Sequence, residues 1–238
     1  MFARALSADF LKIRGKGIWF LVFLGPVGLT VMQCLQYVLR YDYLMKRHAD
    51  NLWGGLMGNM GVFVPIALYL GMTLVCSLIA GVEHQTSAWK QLLALPVSRT
   101  AVFAAKLVLA LLLLAASSLL LSLGTLLLGW ALGFDTAPPY GALLKMSFAP
   151  YAAALPMLAL ALWLTMTIRN QGVPVSIGVA AALVSPFVST LHAWLPLNWP
   201  ALAALRGPLS WQMAAAGAGL GLLIALLGWL HFNRKDVE

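Results

Sequence analysis

The stretch GVEHQTSAWKQLLALPVSRTAVFAAK, residues 81–106, separates two long apolar runs and holds Glu83, the one glutamate away from the C-terminus. Thr86 or Ser87 supplies a side-chain oxygen that can cap a helix. Gln85, Trp89, Leu92, Leu93 and Pro96 recur three and four residues apart and share one helical face, while Ser87, Lys90, Gln91 and Ala94 face the other way. Pro96 pushes Leu95 out of helical geometry and ends the element, and Ser98 is placed to cap the helix that follows. The spacing predicts a short amphipathic helix within segment 84–98, lying flat beneath the apolar runs it joins.

The rest of the chain says what that helix lies against. Of 238 residues, 62% are hydrophobic and 9% charged, with mean hydropathy +0.90, whereas soluble domains run roughly 45–50% apolar and about 25% charged. The composition is that of an all-α integral membrane protein. A net charge of +8 does not point to nucleic acid, because the basic residues sit between apolar runs rather than in a patch interleaved with aromatics. Topology and anionic headgroups account for them. Cys34 and Cys76 both fall inside apolar runs and read as packing residues, with no disulfide or metal framework. The first run is too long for a signal-peptide core and lacks a cleavage signature, so it reads as a retained span.

Crossing about 30 Å of hydrocarbon takes roughly 20 apolar residues. Six runs qualify, at about 17–38, 61–82, 101–132, 147–168, 172–194 and 210–232. The third exceeds a crossing, so it tilts or projects past one interface. Arg4, Lys12, Arg14, Lys16, Lys90, Arg99, Lys106, Arg169, Arg234 and Lys235 fall on one side; Arg40, Lys46, Arg47, Lys145 and Arg206 fall on the other. The richer side is expected to be cytoplasmic, which puts both termini and segment 84–98 inside. Residues 1–16 read as an interfacial helix, with Phe2, Leu6, Phe10 and Ile13 on one face and Arg4, Asp9 and Lys12 elsewhere. Residues 191–210 carry Pro196, Pro200 and Pro208 among leucines and tryptophans. No straight helix survives that; short re-entrant helices at the outer interface fit, anchored by Trp194 and Trp199.

Several chemistries find no support. Ion-coupled transport usually needs ionisable groups deep in the membrane, and no Asp or Glu lies near the centre of any run. No matching pair of broken half-helices suggests an inverted repeat. His48, His84, His192 and His231 form no zinc pair, and the G-x-x-x-x-G-K-[ST] phosphate loop is missing. No catalytic residue, metal or cofactor is expected in this chain, so uphill work would draw on another subunit.

The residues also resemble a family. Glu83, Thr86, Trp89-Lys90, the run LLALPVSR and Lys106 look like type-2 ABC exporter permeases, in the branch of lantibiotic and bacitracin immunity permeases. The opening SADFLKIRGKGIWFLVFLGPV, residues 7–27, is similar to that branch, with Asp9 where a Glu is common. The resemblance implies a permease of the bacterial cytoplasmic membrane that pairs with an ABC ATPase subunit, two copies of each. The second permease is this chain again or a paralogue, and ATP and Mg are held by the partner. It further implies that Glu83, Thr86, Trp89, Lys90, Leu92, Leu93 and Arg99 couple to the ATPase. Phe2, Leu6, Asp9, Phe10 and Ile13 would form the interfacial helix, and an antimicrobial peptide would be expelled. Glu83, where the second run ends, is placed to accept a salt bridge from Arg99, Lys106 or a partner's basic residue. An intramembrane enzyme acting on lipid or peptide is the alternative, and it would turn over without ATP.

Overall fold

The computed structural model describes residues 2–15, 17–85, 98–187, 193–204 and 208–234, with the backbone alone at 82–85 and 208. In chain order the helices are α1 (Phe2–Ile13), α2 (Ile18–Leu39), α3 (Tyr41–Arg47), α4 (Leu52–Gln85), α5 (Arg99–Ala131), α6 (Tyr140–Ala153), α7 (Leu155–Thr167), α8 (Gly172–Val184), α9 (Trp199–Ala204) and α10 (Pro208–Arg234). A 3-10 turn, Pro196–Asn198, leads into α9. Among the described residues α2, α4, α5 and α10 are long and apolar enough to cross a membrane, and α6 with α7 makes a fifth crossing if the bent pair counts as one.

Proline chemistry explains where the helices differ from the apolar runs. The run expected at 147–168 is divided by a 47° bend between α6 and α7. Pro156 has no N–H for the carbonyl four residues back and its ring crowds that turn, so one straight helix cannot continue. Within the run expected at 172–194, α8 ends at Val184 and its thirteen residues reach about 20 Å, short of a hydrocarbon core; residues 188–192 lie outside the described residues. Here Pro186 leaves the Ala182 carbonyl without its helical donor. The Ser185 hydroxyl donates to that carbonyl instead, at 2.9 Å.

Burial divides each crossing helix into two faces. On α2 the residues Ile18, Val22, Pro26, Gln33 and Tyr37 are buried, whereas Phe20, Leu24, Val27, Val31, Leu35 and Val38 form an exposed stripe with three- and four-residue spacing. Leu222, Leu223, Leu226, Leu227 and Leu230 do the same on α10. Contiguous apolar stripes of this kind suit lipid and not water. Gln33 is the exception on its face: it is fully buried, and neither amide atom is hydrogen-bonded among the described residues, at a cost of about 1–3 kcal/mol.

Helix α4 lies at the centre, packed against α2, α5, α6, α7, α8 and α9. Because lipid tails are as apolar as the helices, close backbone approach must supply much of the packing energy. Gly217 and Gly221 on α10 provide it where α10 crosses the α6–α7 break, since a Cβ at Gly217 would meet Ala152 and Ala153 backbone. The 193–204 segment also enters the bundle: the buried Tyr69 hydroxyl, midway along α4, donates to the Leu197 carbonyl at 2.8 Å. Trp194 is exposed, and the Trp199 indole donates to the Ala193 carbonyl at 2.8 Å.

Candidate functional site

One set of polar contacts lies where the start of α5 meets α1, the end of α4 and the end of α10. Ser98 caps α5, its hydroxyl accepting from the Ala101 N–H at 3.2 Å. Beside it the Arg99 guanidinium donates to the Asn233 carbonyl at 3.2 Å, a favourable place for a cation because the negative end of the α10 dipole lies toward its C-terminal turns. Thr100 Oγ1 accepts from the Trp229 indole at 3.1 Å and the Asn233 amide at 3.4 Å. One turn on, Phe103 packs against Phe232, ring centroids 6.1 Å apart. On α7 the Trp163 indole donates to His231 Nδ1 at 2.8 Å.

Lys106 is the unusual member. It is 1% exposed and lies seven residues into α5, so about 10 Å along it from Arg99. Its ammonium is 3.7 Å from the Asp9 carboxylate on α1 and 3.4 Å from the Ile79 carbonyl on α4. Asp9 also pairs with Lys12, at 3.7 Å. Removing one partner of a buried ion pair costs about 3–5 kcal/mol, because the other charge is stranded. The contact is therefore a strong constraint on how these three helices lie.

This arrangement corrects the expected placement of Asp9 away from the apolar face of α1. Asp9 is 7% exposed. At 100° per residue it falls about 20° from Phe2 and about 40° from Ile13 around the helix, on the side that packs against α5. Ile13 is buried too, Leu6 and Phe10 pack against the core, and Phe2 is 42% exposed. Arg99 is at the site as described. Glu83 lies in the last turns of α4, with its side chain outside the described residues, as are Thr86, Trp89, Lys90, Leu92 and Leu93. Sequence reasoning counted Lys106 as a flanking charge. A lysine five residues inside an apolar run, with an aspartate on the facing amphipathic helix, was the signal for the pair.

Toward the opposite end of α4 the described residues line a half-open cavity of about 740 Å³. Gly54, Gly58 and Gly61 on α4 form one wall, and Ala201–Ala204 of α9 another. Lys145 brings a positive charge to the wall, its ammonium 5.5 Å from the centre of the Trp211 ring. A site of this size with mostly apolar walls suits a small ligand or part of a larger one.

Residues 5–189 match the family model for ABC-2 family transporter proteins. The chain belongs to that family. This ABC-2 protein is therefore a multi-pass membrane permease subunit of an ABC transporter, a class that works with an ABC ATPase subunit. The matched residues include Asp9, Lys106 and the whole 84–98 segment, and leave α9 and α10 outside. No curated protein matches the sequence.

Proposed function

We propose that this ABC-2 permease is an exporter of the bacterial cytoplasmic membrane that expels an amphipathic antimicrobial peptide, such as a lantibiotic or bacitracin, and so confers immunity. Two ATPase subunits, holding ATP and Mg, engage two permeases at segment 84–98. Glu83, Thr86, Trp89, Lys90, Leu92, Leu93 and Arg99 receive the push. Six crossings with both termini inside complete the arrangement, α8 with the residues after it serving as the fifth and 191–210 as re-entrant outer helices.

The observation that carries this reading is the meeting of four helix ends around α5. Arg99 bridges to the end of α10, and Lys106 touches both α1 and α4. A displacement of the connection between α4 and α5 then reaches the whole bundle, which a lever requires. At the far end, the apolar cavity beside Gly58 suits the apolar face of an amphipathic peptide.

The test is co-purification with the ATPase, followed by reconstitution. Glu83→Ala combined with Trp89→Ala is expected to abolish bacitracin-stimulated ATP hydrolysis in the complex. Normal stimulation in the double variant refutes the lever. Turnover of lipid or peptide by the permease alone, without ATP, would establish the enzyme alternative.

A further inference from the structure

Lys106 stands out because a permease helix has no need of a buried lysine for packing. An apolar residue at that position, facing an apolar residue at Asp9, is often as stable as a buried ion pair or more so. Intramembrane ionisable residues are retained chiefly where they carry function. The partners of this lysine indicate what that function is. Its ammonium touches the Ile79 carbonyl, which in helical geometry is the acceptor for the Glu83 N–H. Lys106 therefore contacts the very turn of α4 from which segment 84–98 departs, and itself lies on α5, where that segment returns. The Asp9 side chain, 9% exposed, brings α1 to the same point. Helix α1 in turn leads into α2 through Gly15 and Gly17, whose φ values of +82° and +73° lie in the left-handed region that favours glycine.

We propose that Asp9, through its ion pair with Lys106, is a positioning residue that locks α1 to the facing ends of α4 and α5, so that movement of segment 84–98 is delivered through α1 to α2. The inference rests on the coupling function proposed above. It adds a second route for the push. The direct route runs into α4 and α5 and reaches the side of α2 by packing, whereas this one acts on the N-terminal end of α2 through the chain. Lys12, more exposed, pairs with the same carboxylate from within α1.

The test uses the permease–ATPase complex in nanodiscs, in a background lacking Cys34 and Cys76. Spin labels at Leu11 on α1 and Val31 on α2, both exposed, report the α1–α2 distance before and after trapping ATP with vanadate. The expected result is a distance change in the complex with Asp9 and Lys106 intact. The apolar pair Asp9→Leu with Lys106→Met should assemble normally, bind the ATPase and lose most of that change, while Asp9→Glu retains it. A change of full size in the apolar pair overturns the proposal and leaves the pair a packing contact. Loss of the change in Asp9→Glu as complete as in the apolar pair overturns it as well, since the charge is then not what matters. Failure of the unaltered chain to bind the ATPase refutes the coupling function itself and the proposal with it.

Discussion

Gly217 and Gly219 lie two residues apart on α10 and should respond to alanine in opposite directions. A Cβ on Gly217 would lie 2.5 Å from the Ala152 carbonyl oxygen and 2.5 Å from the Ala153 Cα. Non-bonded carbon atoms settle at about 3.5–4.0 Å, so α10 must withdraw from the α6–α7 break by roughly 1 Å. The atoms in the way are backbone, with no rotamer to yield, and overpacking of this kind costs about 1–3 kcal/mol. Gly219 has nothing within 4 Å of its Cβ position. Both substitutions gain the same helix propensity, about 0.5–1 kcal/mol for Ala over Gly. The difference between the two variants therefore isolates the close approach. The assay is reversible unfolding of the purified permease in mixed micelles with increasing SDS, followed by far-ultraviolet circular dichroism. Gly217→Ala is expected to be less stable than Gly219→Ala by about 1–3 kcal/mol, with Gly219→Ala at or slightly above the unaltered chain. Equal stabilities, or a more stable Gly217→Ala, would refute the close packing of α10 on the bend.

Trp53 is 3% exposed, packs edge-on against Phe134 at 5.3 Å and donates to the Thr136 carbonyl at 3.0 Å. Trp53→Ala should cost about 3–5 kcal/mol in the same unfolding assay, whereas Trp53→Phe should lose chiefly the hydrogen bond, about 0.5–1.5 kcal/mol. Gly58 faces the cavity, and its Cβ position is open. Gly58→Trp is expected to leave folding and ATPase binding intact while lowering bacitracin export about tenfold, as for ~1.4 kcal/mol of lost binding. Resistance and vesicle uptake measurements check it, and undiminished export would remove the cavity from the transport path.

How far the sequence can be read depends on which signal a feature leaves. The apolar run at 17–38 corresponds to α2, and that at 210–232 lies within α10, because hydrocarbon thickness acts on every residue of a run alike. The Ser98 cap was legible because capping is local chemistry. The breaks in the runs at 147–168 and 172–194 were less so. Pro150, Pro156, Pro174 and Pro186 all stood in view, yet Pro150 and Pro174 lie within helices while Pro156 and Pro186 fall at breaks. Whether a proline bends or ends a membrane helix depends on what satisfies the carbonyl it abandons. For Pro186 that group is the Ser185 hydroxyl.

The candidate site divides in the same way. Composition and periodicity alone determined a helical membrane chain with an amphipathic α1, because solvent quality and helical repeat act on each stretch separately. Glu83, Trp89 and Arg99 were legible as a polar interruption between apolar runs. Only the tertiary structure decided that Lys106 is a buried partner of Asp9 rather than a flanking charge, since the two are far apart in sequence and meet only when α1 packs on α5. It also decided which glycines of α10 are contact surface and which face outward. Identical residues in one helix differ there solely by what the bend at Ala154 places opposite them.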